Sequence, residues 1–160
     1  MAELKLEKTQ TGIASELYAA GELCRRGYNV TLTFGNTKAI DLLVQKDQLV
    51  LKVQVKGIQR KKSICWTLDK TKVTDDIYFV LVNLHVDQPT AKPEFFVFNG
   101  KEVKELFLNT IKGGEKRAYL DYNRVKALGK YQDRWGIFGQ PESIELFEEP
   151  LKEEDYVPAN

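Results

Sequence analysis

AIDLLVQKDQLVLKVQVKG, residues 39–57, is the stretch whose reading decides the fold. Two runs rich in β-formers, Ile40–Gln45 and Leu49–Gly57, flank Lys46-Asp47-Gln48, a gap short enough for a hairpin. With Asp47-Gln48 as a two-residue loop, Lys46 pairs with Leu49 and Asp41 falls opposite Gln54. Lys56 then lies two residues further along, on the same face as Gln54. A slip of one residue would turn every side chain to the other face, so the register carries most of the argument.

Working outward, residues 10–26 read as a helix, with Thr9 or Thr11 as its cap and Gly27 just past its end. Ile13, Leu17, Ala20, Leu23 and Cys24 form the expected apolar stripe, and Glu16 falls inside it. Tyr28–Phe34 reads as a strand, and Gly35-Asn36-Thr37 as a turn. Further on, Ser63–Leu68, Tyr78–Leu84, Glu94–Phe98 and Arg117–Leu120 read as strands. Phe79, Leu81, Phe96 and Phe98, at period two, belong in the core. Lys101–Leu108, with Val103, Leu106 and Phe107 inward, and Asn123–Leu128 read as short helices. Gly113-Gly114 marks a loop, Trp66 reads as packing, and Tyr131, Trp135 and Phe138 dock a C-terminal piece. The order predicts an α/β fold: a mixed sheet flanked by helices, with a small C-terminal addition. One domain over residues 1–148 is expected, its motif-bearing core at 10–84, followed by an acidic, proline-containing tail at 149–160 expected to be mobile.

Composition excludes several classes. The chain has 160 residues, 42% hydrophobic and 29% charged, enough for a real core and wrong for a wholly disordered or collagen-like chain. Residues 1–72 hold 13 basic and 7 acidic side chains, and residues 73–160 hold 11 and 16, so a net +6 half precedes a net −5 half. That asymmetry permits a basic face for a polyanion. Cys24 and Cys65 form no CxxC, and His85, the single histidine, reads as a surface residue. Gly35-Asn36-Thr37-Lys38 is no P-loop, and no dinucleotide fingerprint is present. The opening MAELKLEK is too charged for a signal-peptide core, and the longest apolar strand-like run, Tyr78–Val82, is far below membrane-spanning length. A cytoplasmic, reduced protein without membrane attachment is the expectation.

Four polar residues interrupt apolar patterns where the elements should meet: Glu16, Asp41, Gln54 and Lys56. Burying such groups is costly unless hydrogen bonds, ions or water satisfy them. Each has an ordinary reading as well. Glu16 can bond a neighbouring backbone group or arginine, Asp41 can cap a turn, and Gln54 and Lys56 can sit on a solvated strand face. Taken together, the oxygens of Glu16, Asp41 and Gln54 suit a hard cation such as Mg²⁺ or Mn²⁺. An ammonium at Lys56 would orient water or steady charge on a phosphate. Lys52, Arg60, Lys61 and Lys62 can grip a phosphate backbone, or simply be solvated. Gln59 and Ser63 are further candidates to position a phosphate.

The segments GIASELYAAGELCRRGYNV, AIDLLV and LKVQVKG, in that order, resemble the PD-(D/E)xK nuclease superfamily, in particular its small members related to Holliday-junction resolvases and restriction endonucleases. The resemblance covers residues 10–84. It implies a restriction-endonuclease-like fold and Mg²⁺-dependent DNA cleavage, with Glu16 as the helix glutamate, Asp41 as the strand aspartate, and Gln54 and Lys56 as the (E/Q/D)xK pair. Many relatives dimerise, which implies a homodimer. The commonest form of the motif has glutamate where this chain has Gln54, and glutamine offers an oxygen without the charge. Two other readings of the same residues stay open: a catalytically inactive nucleic-acid-binding module on this fold, and a protein-interaction or regulatory protein, suggested by the acidic second half.

Overall fold

The computed structural model describes residues 3–33, 40–60, 62, 65–108 and 116–139. The turn at 35–37, Lys61, Ser63, the Gly113-Gly114 loop and the acidic tail lie outside the described residues. The chain opens with helix α1 (Lys8–Arg25), then strands β1 (Asn29–Leu32), β2 (Leu42–Lys46), β3 (Leu49–Ile58), β4 (Cys65–Asp69), β5 (Ile77–Asn83) and β6 (Glu94–Asn99). Helix α2 (Gly100–Leu108), strand β7 (Arg117–Asp121), helix α3 (Tyr122–Leu128) and a 3₁₀ turn at Trp135–Phe138 complete it. Among the described residues no helix is long and apolar enough to cross a membrane.

The five-stranded sheet runs β1-β2-β3-β5-β6. The β3–β5 pair is parallel and the other pairs are antiparallel, so the sheet is mixed. The β2–β3 hairpin has the expected register, with Lys46 opposite Leu49 and Leu42 opposite Val53. Asp47, at φ 52°, takes the left-handed conformation that a tight two-residue turn demands. A separate ribbon, β4 paired with β7, stands beside the main sheet.

Each face of the sheet carries its own core. On one face, Val53, Val55, Val80, Val82 and Val97 pack against Ala19 and Leu23 of α1 and against Trp135 and Phe138 of the C-terminal turn. On the other, Phe79, Leu81, Phe96 and Phe98 pack beneath Trp66, Leu68, Leu120, Val103 and Tyr122 from the ribbon, α2 and α3. Trp66 Nε1 donates to the Val82 carbonyl at 3.0 Å, tying ribbon to sheet. Tyr131 stacks on Phe98 with ring centroids 4.2 Å apart.

Helix α1 departs from the expected stripe in two ways. Its start is set one turn earlier than Thr11, by Glu7 as cap: the Glu7 N–H donates to Gln10 Oε1 at 2.9 Å. Its buried face is Thr11, Ser15, Ala19, Ala20 and Leu23, whereas Ile13, Leu17, Tyr18 and Cys24 are exposed. The reason is a close approach. Gly57 of β3 has no side chain, and Ser15 Oγ lies 1.9 Å from where a Gly57 Cβ would sit. Small residues let the helix backbone lie on the strand, and the larger apolar side chains turn outward.

His85 is also corrected. It is buried, at φ 50°, with Nε2 2.9 Å from Glu94. Beyond β5 the chain keeps pairing with the end of β3, Leu84 N–H to Ile58 O and Val86 N–H to Gln59 O, and this holds His85 inside.

Candidate active site

β2 covers the edge of β3 only as far as Val53. There the ladder ends, one residue short of the expected Asp41–Gln54 pairing. Asp41 N–H instead donates to the Val53 carbonyl at 2.9 Å, one residue out of register. Its carboxylate Oδ2 accepts the Val55 N–H at 2.7 Å, taking the place of a backbone acceptor where the strands part. The Asp41 carboxylate is therefore anchored on the β3 backbone at Val55, close enough to Lys56 to feel its charge.

The pocket at this parting is a 680 Å³ hollow between α1 and the freed edge of β3, with Glu16, Asp41, Val55 and Lys56 in its walls. α1 supplies Glu16, the start of β2 supplies Asp41, and β3 supplies Lys56. Its far end is closed by Gln59, whose amide bonds the Leu6 backbone in both directions at 2.8 Å. Gln59 is thus a tie for the N-terminal segment, and its amide is committed to that role.

Gln54 is buried and lies outside this lining. Strand alternation puts it on the face of Lys56 and Ile58, across from Phe79 on β5. Glu16, Asp41 and Lys56 thus line one pocket, and Gln54 is buried two residues before Lys56 on the same strand face.

Electrostatics mark the pocket as unusual. Burial, and then the negative charge of Asp41, raise the Glu16 carboxyl above the ordinary glutamate range, against the opposing pull of Lys56. Burial likewise raises Asp41, although the Val55 N–H and Lys56 work the other way. Two carboxylates that resist ionisation beside one ammonium are a site short of positive charge. Among the described residues, no group of three or more His, Cys, Asp or Glu side chains is placed to hold a metal. The donors present are two carboxylates, and Mg²⁺ is commonly held by one or two carboxylates while keeping several waters. The pair fits that ion by its chemistry.

The predicted basic set is dispersed. Lys52 pairs with Asp76 at 3.1 Å, Arg60 is largely buried against Glu3, Lys62 is exposed, and Lys61 lies outside the described residues. Other cations, unremarked in the sequence, gather beside the pocket: Lys8, Lys72, Lys116 and Arg117. They come from α1, the 3₁₀ turn after β4, and the entry and first residue of β7, so sequence distance hides them. The available signal was the Lys116-Arg117 pair opening an edge strand.

A central mixed sheet with a leading helix, and an acidic pair facing a lysine where two strands part, define the class of restriction-endonuclease-like folds. The chain belongs to the PD-(D/E)XK endonuclease family, whose pattern matches residues 6–87, just over half its length. Among solved structures it is similar to a bacterial homing endonuclease, with 18% identity over 84% of this chain and 92% of that one, at TM-score 0.54. It is also similar to the Holliday junction resolvase Hjc of the archaeal hyperthermophile Archaeoglobus fulgidus, with 17% identity over 73% of this chain and 88% of that one, at TM-score 0.49. No curated protein matches it in sequence.

Proposed function

We propose that this protein is a metal-dependent endonuclease that hydrolyses DNA phosphodiester bonds at the Glu16–Asp41–Lys56 pocket. The observation that carries this reading is the meeting of two carboxyls of raised proton affinity with one ammonium, where β2 leaves β3. Glu16 and Asp41 would hold Mg²⁺ or Mn²⁺. When bound, such an ion polarises a phosphoryl oxygen and lowers the proton affinity of water. The Val55 N–H holds the Asp41 carboxylate in place. Lys56 offsets the charge that builds on the phosphate oxygens as water attacks. Gln54, where the commonest family motif carries a charge, supplies none. Gln54 is on the strand face that carries Lys56, so Gln54→Glu is expected to strengthen metal binding.

The test is cleavage of plasmid, branched and single-stranded DNA with Mg²⁺ or Mn²⁺. Asp41→Ala and Lys56→Ala are each expected to lower the rate at least a hundredfold, within the range that acid–base and charge-stabilising groups supply. Unchanged cleavage in either variant would overturn the site. The uncharged Gln54 favours one second reading, a non-catalytic DNA-binding module of this fold. It predicts salt-sensitive DNA binding with no cleavage of any substrate and no divalent-ion binding by calorimetry.

A further inference from the structure

A second hollow, 670 Å³, lies against the proposed active pocket and shares Lys8, Lys56 and Gly57 with it. Its walls bring together Lys8, Lys56, Lys72, Lys116 and Arg117 against one carboxylate, Asp69. Lys72 stands 3.6 Å from Asp69, and among the described residues Lys8, Lys56, Lys116 and Arg117 form no ion pair. The β4–β7 ribbon builds the far wall: Asp69 faces Arg117 across its ladder, Trp66 and Leu68 point into the core, and Thr67 points outward. Cations gathered along one cleft repel one another, and a partner carrying several negative charges along its length relieves that repulsion.

We propose that this cleft binds the sugar–phosphate backbone of duplex DNA beside the bond to be cut, with Lys72, Lys116 and Arg117 as its phosphate contacts. This rests on the nuclease reading, and Lys56, in the wall common to both hollows, joins the two. The lining decides between paired and unpaired strands. Proteins that hold single strands stack bases on aromatic rings, and none is among the described residues that line this cleft. A rail of lysine and arginine without stacking rings grips phosphates and leaves the bases in their helix.

The experiment is fluorescence anisotropy with a labelled DNA duplex, its single strand and the matching RNA duplex, in EDTA, across a salt series. No cleavage occurs under these conditions, so the result is independent of catalysis. Each of Lys72→Ala, Lys116→Ala and Arg117→Ala is expected to flatten the slope of log affinity against log salt by about 0.9, the value of one duplex phosphate contact. Lys92→Ala, an exposed lysine outside the cleft, is expected to leave it unchanged. Asp69→Asn keeps an acceptor for the Thr71 N–H, so its fold is retained, and it is expected to tighten binding severalfold. An unchanged slope in the three alanine variants overturns the cleft, even if Asp41-dependent cleavage stands. Equal or tighter binding of the single strand, or of the RNA duplex, overturns the choice of ligand.

Discussion

Gly57→Ala tests how the site is assembled. Gly57 follows Lys56 directly, and its φ is not among the positive values, so its freedom is not what the fold uses. What the fold uses is its missing side chain. An added Cβ would stand 1.9 Å from Ser15 Oγ, 2.9 Å from Ser15 Cβ and 3.2 Å from the Thr11 carbonyl oxygen. Rotating the hydroxyl relieves the first contact only, and it breaks the buried bond from Ser15 Oγ to Thr11 O at 2.7 Å. A buried hydroxyl left unpaired costs about 1–3 kcal/mol. The remaining overlaps push α1 off the strand, at about 1–3 kcal/mol for overpacking. Together these give a loss of about 2–6 kcal/mol. Glu16 rides on α1, so the same displacement moves a carboxylate away from Asp41 and Lys56. The assay is urea unfolding beside metal-dependent DNA cleavage. Ser15→Ala removes the closest atom, so the double variant is expected to recover about 0.5–3 kcal/mol relative to additivity. A Gly57→Ala protein with an unchanged urea midpoint and unchanged cleavage refutes the close-approach reasoning.

Glu16 and Asp41 bind their protons more tightly folded than unfolded, so without a cation the folded state loses stability as pH rises from their ordinary values of 4.5 and 3.8 through the raised ones. Mg²⁺ selects the ionised forms, so its thermal stabilisation, about 2.7 kcal/mol at a hundredfold excess over Kd, is expected at pH 7.5 and reduced at pH 5. Asp41→Asn, which still accepts from Val55, is expected to abolish it, and an equal shift in that variant speaks against the pair as the metal site. Glu94 accepts from His85, Tyr122 and Lys126; burial opposes its ionisation, but these bonds hold its carboxyl below the usual range. Its contribution is present above the ordinary value of 4.5 and is lost as pH falls through the lowered one. Glu94→Gln is expected to cost about 1.5–3 kcal/mol and to flatten acid unfolding, read by circular dichroism against pH. Leu17→Ala is expected to change stability by less than about 0.5 kcal/mol in urea, because Leu17 is 54% exposed. A core leucine in its place would cost about 2–5 kcal/mol, and a loss of that size would restore the stripe read from the sequence.

The β2–β3 register was legible because it is local. A two-residue loop between alternating runs leaves one pairing that keeps Val53 and Val55 in the core, and the ladder follows it from Lys46–Leu49 to Leu42–Val53. The strands and short helices of the second half were legible for the same reason, since period-two and helical patterns need no knowledge of distant partners. The rotation of α1 was not legible. A hydrophobic stripe ranks residues by their oil-like character, and it cannot see that a glycine at position 57 rewards small residues on the facing helix. Nor did the sequence show that Asp41 leaves the ladder to take the Val55 N–H, because that choice depends on where β2 departs from the sheet. Residue types and local order were enough to nominate Glu16, Asp41 and Lys56. Tertiary structure buried Gln54 against β5, buried His85 against Glu94, and drew Lys8, Lys72, Lys116 and Arg117 into one cleft. The physical reason is range: hydrogen bonding along a strand is decided by neighbours in the chain, whereas burial and charge clustering are decided by segments that meet only after the chain has folded.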